Sequence, residues 1–390
     1  MRAIADTYGL SDNQVFVGVG SDDVLAMSFL TFFNSEKPIL FPDITYSFYD
    51  VWADLFRIPY ERPALDEHFH ICKEDYFREN GGIVFPNPNA PTGVVMPLSE
   101  VEDNVAHNQD VVVIVDEAYV DFGSQSALPL IEKYENLLIV QTFSKSRSMA
   151  GMRIGFAMGS PKLIKYLNDA KYSFNSYTMD RTALAAGVAA VKDQEYFCET
   201  CHKIIETREW TKKELSKLGF SFEDSKANFI FATHETCPAE ELFKALRERH
   251  IYVRYFPGGR TGNHLRITVG TREEMEAMFA FLKKYMNKYE EFLMTNTLIH
   301  GIIDALSGSV SKEVIVFLIS MIPILELRGA LLVAGPILGV KVSTAIPLCI
   351  IGNIIPVPFI LLLITPVFNW MKGTKTFKPL VDKLESKAMR

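Results

Sequence analysis

Residues 111–119, Val-Val-Val-Ile-Val-Asp116-Glu117-Ala118-Tyr119, and residues 137–145, Leu-Leu-Ile-Val-Gln-Thr142-Phe143-Ser144-Lys145, decide how this chain is read. Each opens with a short apolar run lacking polar alternation, the pattern of a strand buried on both faces. Each then ends in a chemically pointed residue. A carboxylate at the end of a buried strand needs a partner, because leaving it bare in a low-dielectric interior is costly. The second run offers an amine in the same row. Further apolar runs at 14–19, 38–41 and 82–85 alternate with helical patterns, which predicts a parallel sheet with crossover helices. In such sheets chemistry collects beyond the carboxyl ends of the strands.

Asp116 and Lys145 at neighbouring strand ends suit pyridoxal 5'-phosphate (PLP). The lysine holds the cofactor covalently and the aspartate keeps its pyridine nitrogen protonated. Tyr119, three residues beyond Asp116, is placed to reach the ring's phenolic oxygen. A phosphate seat is legible in Gly18-Val19-Gly20-Ser21-Asp22-Asp23, which follows a strand and opens an apolar-periodic helix, so that free N–H groups and the helix dipole face an anion. Ser144 adds a hydroxyl, Arg153 a guanidinium, and Tyr46 a flat face for stacking. Taken singly, the glycine turn is more often a cap, Tyr46 core and Lys145 surface, and Asp116 is as readily a satisfied structural carboxylate as a functional one. Their joint order separates them from those readings.

Five segments then carry a resemblance: 17–23 (VGVGSDD), 87–93 (NPNAPTG), 115–122 (VDEAYVDF), 142–155 (TFSKSRSMAGMRIG) and 264–271 (HLRITVGT). Together they resemble the fold-type I, aspartate-aminotransferase-like family over about residues 1–290. VDEAYVDF, the Ser-Lys-plus-Arg block and LRITVGT are most similar to histidinol-phosphate aminotransferases. The resemblance implies an α/β fold, with a PLP-binding large domain (1–180) and a smaller α+β domain (181–291); residues 292–390 are read separately as a helical membrane segment. It assigns Lys145, Asp116 and Tyr119 to catalysis, and Gly20, Ser21, Asp22, Tyr46, Ser144 and Arg153 to the cofactor. Arg266 is assigned to the substrate's α-substituent and Arg254 to its phosphate. The implied reaction moves an amino group between histidinol phosphate and 2-oxoglutarate in a homodimer, so the small-molecule partners are an amino donor and a 2-oxo acid. An aromatic-amino-acid aminotransferase and a threonine-phosphate decarboxylase are the rivals on the same scaffold. A membrane protein with an inactive aminotransferase fragment is the rival of another class.

Two departures stand out. The family has Asn immediately before Pro-Thr-Gly, where this chain has Ala90, and Asn89 is the expected substitute for that ring-oxygen contact. Residues 1–5 correspond to a point well inside the family's fold, so the expectation is a chain lacking the opening stretch that closes over substrate and reaches the partner's phosphate site.

At 390 residues and 48% hydrophobic, the chain can bury more than one core. Its net charge of −7 and scattered Lys and Arg leave no basic footprint for nucleic acid. Five cysteines without a disulfide spacing, and no opening signal peptide, read as a cytoplasmic catalytic part. Cys198-x-x-Cys201-His202 has haem-attachment spacing but falls in a charged helical stretch, and no His/Cys cluster has zinc spacing, so no metal is expected.

Composition breaks near residue 293. Residues 342–371 carry no charge, enough to cross roughly 30 Å of hydrocarbon, although Pro347, Pro356, Pro358 and Pro366 suit a broken or re-entrant pair as well as one span. Residues 324–330 (ILELRGA) and 352–358 (GNIIPVP) resemble the small multidrug-export membrane family. Glu326 and Arg328 are then candidate intramembrane ionic groups. Lys372, Lys375, Lys378, Lys383, Lys387 and Arg390 would place the C-terminus in the cytoplasm. Met294 sits where a separate reading frame could start, so two joined genes are the expected origin.

Overall fold

The computed structural model describes residues 1–322, 330–331, 333–360, 362 and 366. The chain divides into two compact units, residues 1–283 and 284–390.

The first unit is built on a seven-stranded sheet. Its strands are β1 (Val15–Val19), β2 (Ile39–Leu40), β3 (Tyr60–Glu61), β4 (Ile83–Pro86), β5 (Val113–Asp116), β6 (Leu137–Thr142) and β7 (Ile154–Gly159), in the order β1-β7-β6-β5-β4-β2-β3. β2 to β6 pair in parallel, whereas β7 runs antiparallel to both β6 and β1. The expected all-parallel sheet is therefore a mixed one. The reversing strand went unread because Ile-Gly-Phe-Ala-Met-Gly is interrupted by glycines, which lowers its strand signal.

Both faces of the sheet are covered, as the unbroken apolar runs require. Along β5, Val113 and Val115 join one buried cluster and Ile114 the other, following the period of two. Helices α1 (Arg2–Tyr8), α4 (Leu98–His107) and α6 (Arg181–Lys192) supply Ile4, Val101, Val105 and Val191 to the first face. Helices α2 (Ser21–Phe32), α3 (Phe48–Phe56) and α5 (Pro161–Phe174) supply Val24, Phe29, Tyr49, Trp52 and Leu167 to the second.

Two helices fill residues 181–217. Asp193 ends α6 and caps α7 (Gln194–Lys217), its side chain accepting from the Tyr196 N–H at 3.2 Å. Beyond α7 come β8 (Phe220–Phe222), β9 (Phe229–His234), α8 (Ala239–Glu248), β10 (Arg254–Tyr255) and β11 (Leu265–Thr268), forming an antiparallel sheet in the order β10-β11-β9-β8. Arg208 of α7 is 2% exposed and ties this sheet to the large one, donating to the Phe122 carbonyl at 2.7 Å and the Ala227 carbonyl at 3.0 Å.

In the second unit, the helix Val342–Ile354 runs without a break over Pro347, and the stretch Val342–Ile360 is long and apolar enough to cross a membrane. A buried cluster joins Ile303, Ile315, Ile319, Val333, Ala345 and Cys349. Glu326, Arg328 and the basic tail from Lys372 to Arg390 lie outside the described residues.

β7 begins hard against the start of α2: a methyl group on Gly155 would run into the backbone of Gly20 and Ser21. Overpacking of this kind costs about 1–3 kcal/mol. Gly155→Ala should lower the urea midpoint of the full chain accordingly, and an unchanged midpoint would contradict the close approach.

Candidate active site

A cavity of about 630 Å³ opens over the carboxyl ends of β4, β5 and β6. Its lining includes Ser21, Asp22, Tyr46, Asp116, Tyr119, Ser144, Lys145, Arg153, Arg254 and Arg266. One strand-end carboxylate, one amine, one helix N-terminus and three guanidinium groups thus share one space.

Asp116 ends β5 and is buried. Its Oδ2 accepts from the Tyr49 hydroxyl at 2.9 Å and its Oδ1 from the Ala118 N–H at 3.2 Å. Burial pushes its pKa up to about 6, against the pull of those two bonds and of the Lys145 charge. Lys145 follows β6 by three residues, with Nζ 5.5 Å from the centre of the Tyr119 ring. Tyr119 packs edge-on against Phe229 at 5.1 Å.

The expected anion seat is the start of α2. Gly20 caps the helix at φ 87°, a conformation that favours glycine, and a side chain there would strike the Arg153 guanidinium. The first-turn N–H groups of a helix have no partner within it. Asp22 accepts from the Tyr46 hydroxyl at 2.9 Å and pairs with Arg153 Nη2 at 3.2 Å, so its carboxylate links the Tyr46 ring to the guanidinium. Arg153 itself sits at φ 49° immediately before β7.

On the opposite wall, Arg254 and Arg266 are directly paired across β10 and β11. Like charges in that position repel. Arg266 Nε is buried without a hydrogen-bond partner, and burial together with Arg254 holds the Arg266 pKa below the usual guanidinium range. An orphaned donor and two adjacent cations facing one cavity fit a bound anion.

Asn89 is placed differently from its expectation. It does not line the cavity: its Nδ2 donates to the Ile44 carbonyl at 3.0 Å and Thr92 Oγ1 at 3.1 Å, and its Oδ1 accepts from Thr45 Oγ1 at 3.2 Å. Ala90 lines the cavity instead. The loop between two cis peptide bonds, Asn87-Pro88 and Ala90-Pro91, uses this amide for its own closure. Cys198, Cys201 and His202 lie on α7, with His202 paired to Glu206, and among the described residues no group of side chains could hold a metal.

With this geometry in view, the comparisons are specific. The aminotransferase class I and II family matches residues 1–282. The chain belongs to that family. A histidinol-phosphate aminotransferase of Lactococcus lactis subsp. cremoris (strain MG1363) is 52% identical over 290 residues, 74% of this chain and 82% of that protein. One from Clostridium botulinum (strain Langeland) is 52% identical over 287 residues, 74% of this chain and 81% of that protein. Among solved structures, the histidinol-phosphate aminotransferase of Clostridium acetobutylicum superposes with a TM-score of 0.68 at 23% identity, over 74% of this chain and 88% of that one. That of Sinorhizobium meliloti, in complex with pyridoxal 5'-phosphate, gives 0.67 at 23% identity, over 74% and 81%. Residues 326–390 match a second family, described as small multi-drug export proteins.

The aminotransferase fold is thus the fold-type I fold, with PLP as its cofactor and an amino donor and a 2-oxo acid as its substrates. The residues present fit PLP. The space beside Gly20 that a Cβ would fill, against the Arg153 guanidinium, suits a phosphate, and Asp116 and Lys145 supply the carboxylate for a pyridinium N–H and the amine for a carbonyl carbon.

Two residues went unread in the sequence. Tyr49 sits in an apolar helix pattern with nothing to distinguish it from core. Glu117, beside Asp116, is buried and accepts from Ser126 Oγ at 2.7 Å, the Ala127 N–H at 2.6 Å and Gln141 Nε2 at 2.8 Å. Burial pushes the Glu117 pKa up to about 7. A carboxyl whose pKa is raised on folding contributes stability in full below its unfolded pKa, lost as pH rises through the folded value. The cofactor-free chain should therefore lose stability between about pH 4.5 and 7. Glu117→Gln should flatten that slope in urea titrations at pH 5 and 7.5, and an equal slope in the variant would remove Glu117 as its source.

Proposed function

We propose that this chain transfers the amino group of histidinol phosphate to 2-oxoglutarate; relatives about half identical to it are named histidinol-phosphate aminotransferases. The observation that carries this reading is the cross-strand pair Arg254 and Arg266 facing a cavity that already has a separate phosphate seat at the start of α2. A second anion-binding wall suits substrates that bring a phosphate or carboxylate of their own.

The roles assigned here are those the family resemblance implies, supported by the shared cavity. Ser21 and Asp22 backbone amides, Ser144 and Arg153 hold the cofactor phosphate, Tyr46 stacks on its ring and Tyr119 bonds its phenolic oxygen. Asp116 would carry the charge that keeps the ring nitrogen protonated, and Lys145 Nζ would hold the cofactor covalently and carry the proton to and from the substrate carbon. When bound, PLP takes up the amino group and accepts the electron pair released at that carbon. Arg266 grips the α-carboxylate of glutamate or 2-oxoglutarate, and Arg254 the substrate phosphate. The working form is a homodimer.

For the second unit we infer insertion in a lipid bilayer. Val342, Ile354 and Phe359 are each more than 60% exposed along Val342–Ile360, apolar surface that water would penalise and hydrocarbon would not. Carbonate washing of membranes carrying the full chain should leave it in the pellet, and its release into the supernatant would exclude insertion.

The enzyme reading is tested on the full chain with added PLP. A visible absorbance band from covalently held cofactor should be present in the parent and absent in Lys145→Ala. Arg254→Ala should raise KM for histidinol phosphate on the order of 10–100-fold, the worth of one hydrogen bond to a charged group, with a smaller change for 2-oxoglutarate. A parent chain without the band, or equal changes for both substrates, would overturn the corresponding assignment.

A further inference from the structure

We infer that Tyr49 is the positioning residue for Asp116: its hydroxyl fixes the direction of the carboxylate and holds it in the charged form that the cofactor's ring nitrogen requires. This rests on the reading of Asp116 given above.

The carboxylate at the end of β5 has two hydrogen bonds, one to each oxygen. Ala118 supplies a backbone N–H to Oδ1, which follows from chain geometry and is indifferent to side-chain identity. The bond to Oδ2 comes from the Tyr49 hydroxyl at 2.9 Å and is the one that sequence can alter. The phenol can only be the donor here, because burial and the Asp116 charge hold its pKa well above the ordinary tyrosine range. Its proton therefore stays on oxygen while Asp116 remains free to take a third donor from the cavity.

The ring is as constrained as the hydroxyl. Tyr49 is fully buried and lies 5.9 Å from Phe41, 6.0 Å from Phe29 and 6.2 Å from Trp52, so α3 and the sheet fix its aim. Three residues earlier on the same turn, Tyr46 bonds Asp22. The charged and titratable groups around Asp116 are Asp22, which opposes its ionisation, Lys145, which favours it, and Tyr46 beside Tyr49. Arg153 offsets Asp22 by pairing with it. None of these bonds Asp116 Oδ2.

Removing the hydroxyl raises the Asp116 pKa further, so cofactor binding that needs the charged carboxylate should fail at a higher pH. The structure supplies a matched control: the Tyr76 hydroxyl is also buried but has no hydrogen-bond partner. PLP affinity of the full chain would be measured by absorbance titration from pH 5 to 9 for the parent, Tyr49→Phe and Tyr76→Phe. Tyr49→Phe should bind on the order of 10-fold more weakly at pH 5 and about twofold more weakly at pH 7, with the acidic limb moved up by about one unit, while Tyr76→Phe tracks the parent. In an Asp116→Asn background the Tyr49→Phe change should have no further effect.

Site-specific 3-fluorotyrosine at position 49, a stronger donor of nearly the same shape, should move the acidic limb down. That measurement decides the matter even where Tyr49→Phe fails to fold. Identical behaviour of Tyr49→Phe and Tyr76→Phe, an equal loss in both Asp116 backgrounds, or an unmoved limb with fluorotyrosine would overturn the inference. A parent chain that binds no PLP would instead refute the reading of the site, and the inference with it.

Discussion

The site depends on one expensive placement, a carboxylate buried at the end of the central strand β5. Desolvation works against its charge, and only a phenol hydroxyl, one backbone N–H and a nearby ammonium oppose that penalty. The rest of the large sheet serves this placement. β4 and β6 flank β5 in parallel register, with Pro86 and Val140 opposite Asp116, so their ends share one rim. The covering helices follow from the same cause, because strands apolar on both faces need a layer on each side.

A second carboxylate, Glu117, lies next in sequence and faces away from the cavity into its own donors. Alternation along the strand explains the division: adjacent residues at the end of β5 point to opposite faces. Asp116 keeps a side open to the cavity, whereas Glu117 is enclosed by Ser126, Ala127 and Gln141. The Tyr8 hydroxyl bonds Gln141 at 2.9 Å, so α1 is joined to the same network. One half of the Asp-Glu pair faces the cavity and the other ties helix and loop to the sheet.

Much of this is legible in the amino-acid sequence. Residues that end a strand or open a helix announce themselves by a change in pattern, and Asp116, Lys145 and the Gly20-Ser21-Asp22 turn all do so. Arg254 and Arg266 need the family resemblance, since nothing local marks two arginines as cross-strand neighbours. Support from the middle of elements stays hidden. Tyr49 reads as one more aromatic of an apolar helix, and its partner lies 67 positions away. Asn89 shows the converse. A motif match suggests a ligand contact, but the loop consumes the amide in its own hydrogen bonds, and no one-dimensional pattern separates those uses.

The reversal of β7 has a geometric consequence. A crossover connection after β6 would have returned the chain to the far end of the sheet, about six residues or 20 Å from the rim. The antiparallel return starts where β6 stops. Lys145 and Arg153 therefore stand at the two feet of one short arch, both on the rim, and the length of that arch fixes the span between amine and guanidinium. An added or lost residue there would change the distance between the two ends of whatever lies beneath the arch, leaving every strand of the sheet in place.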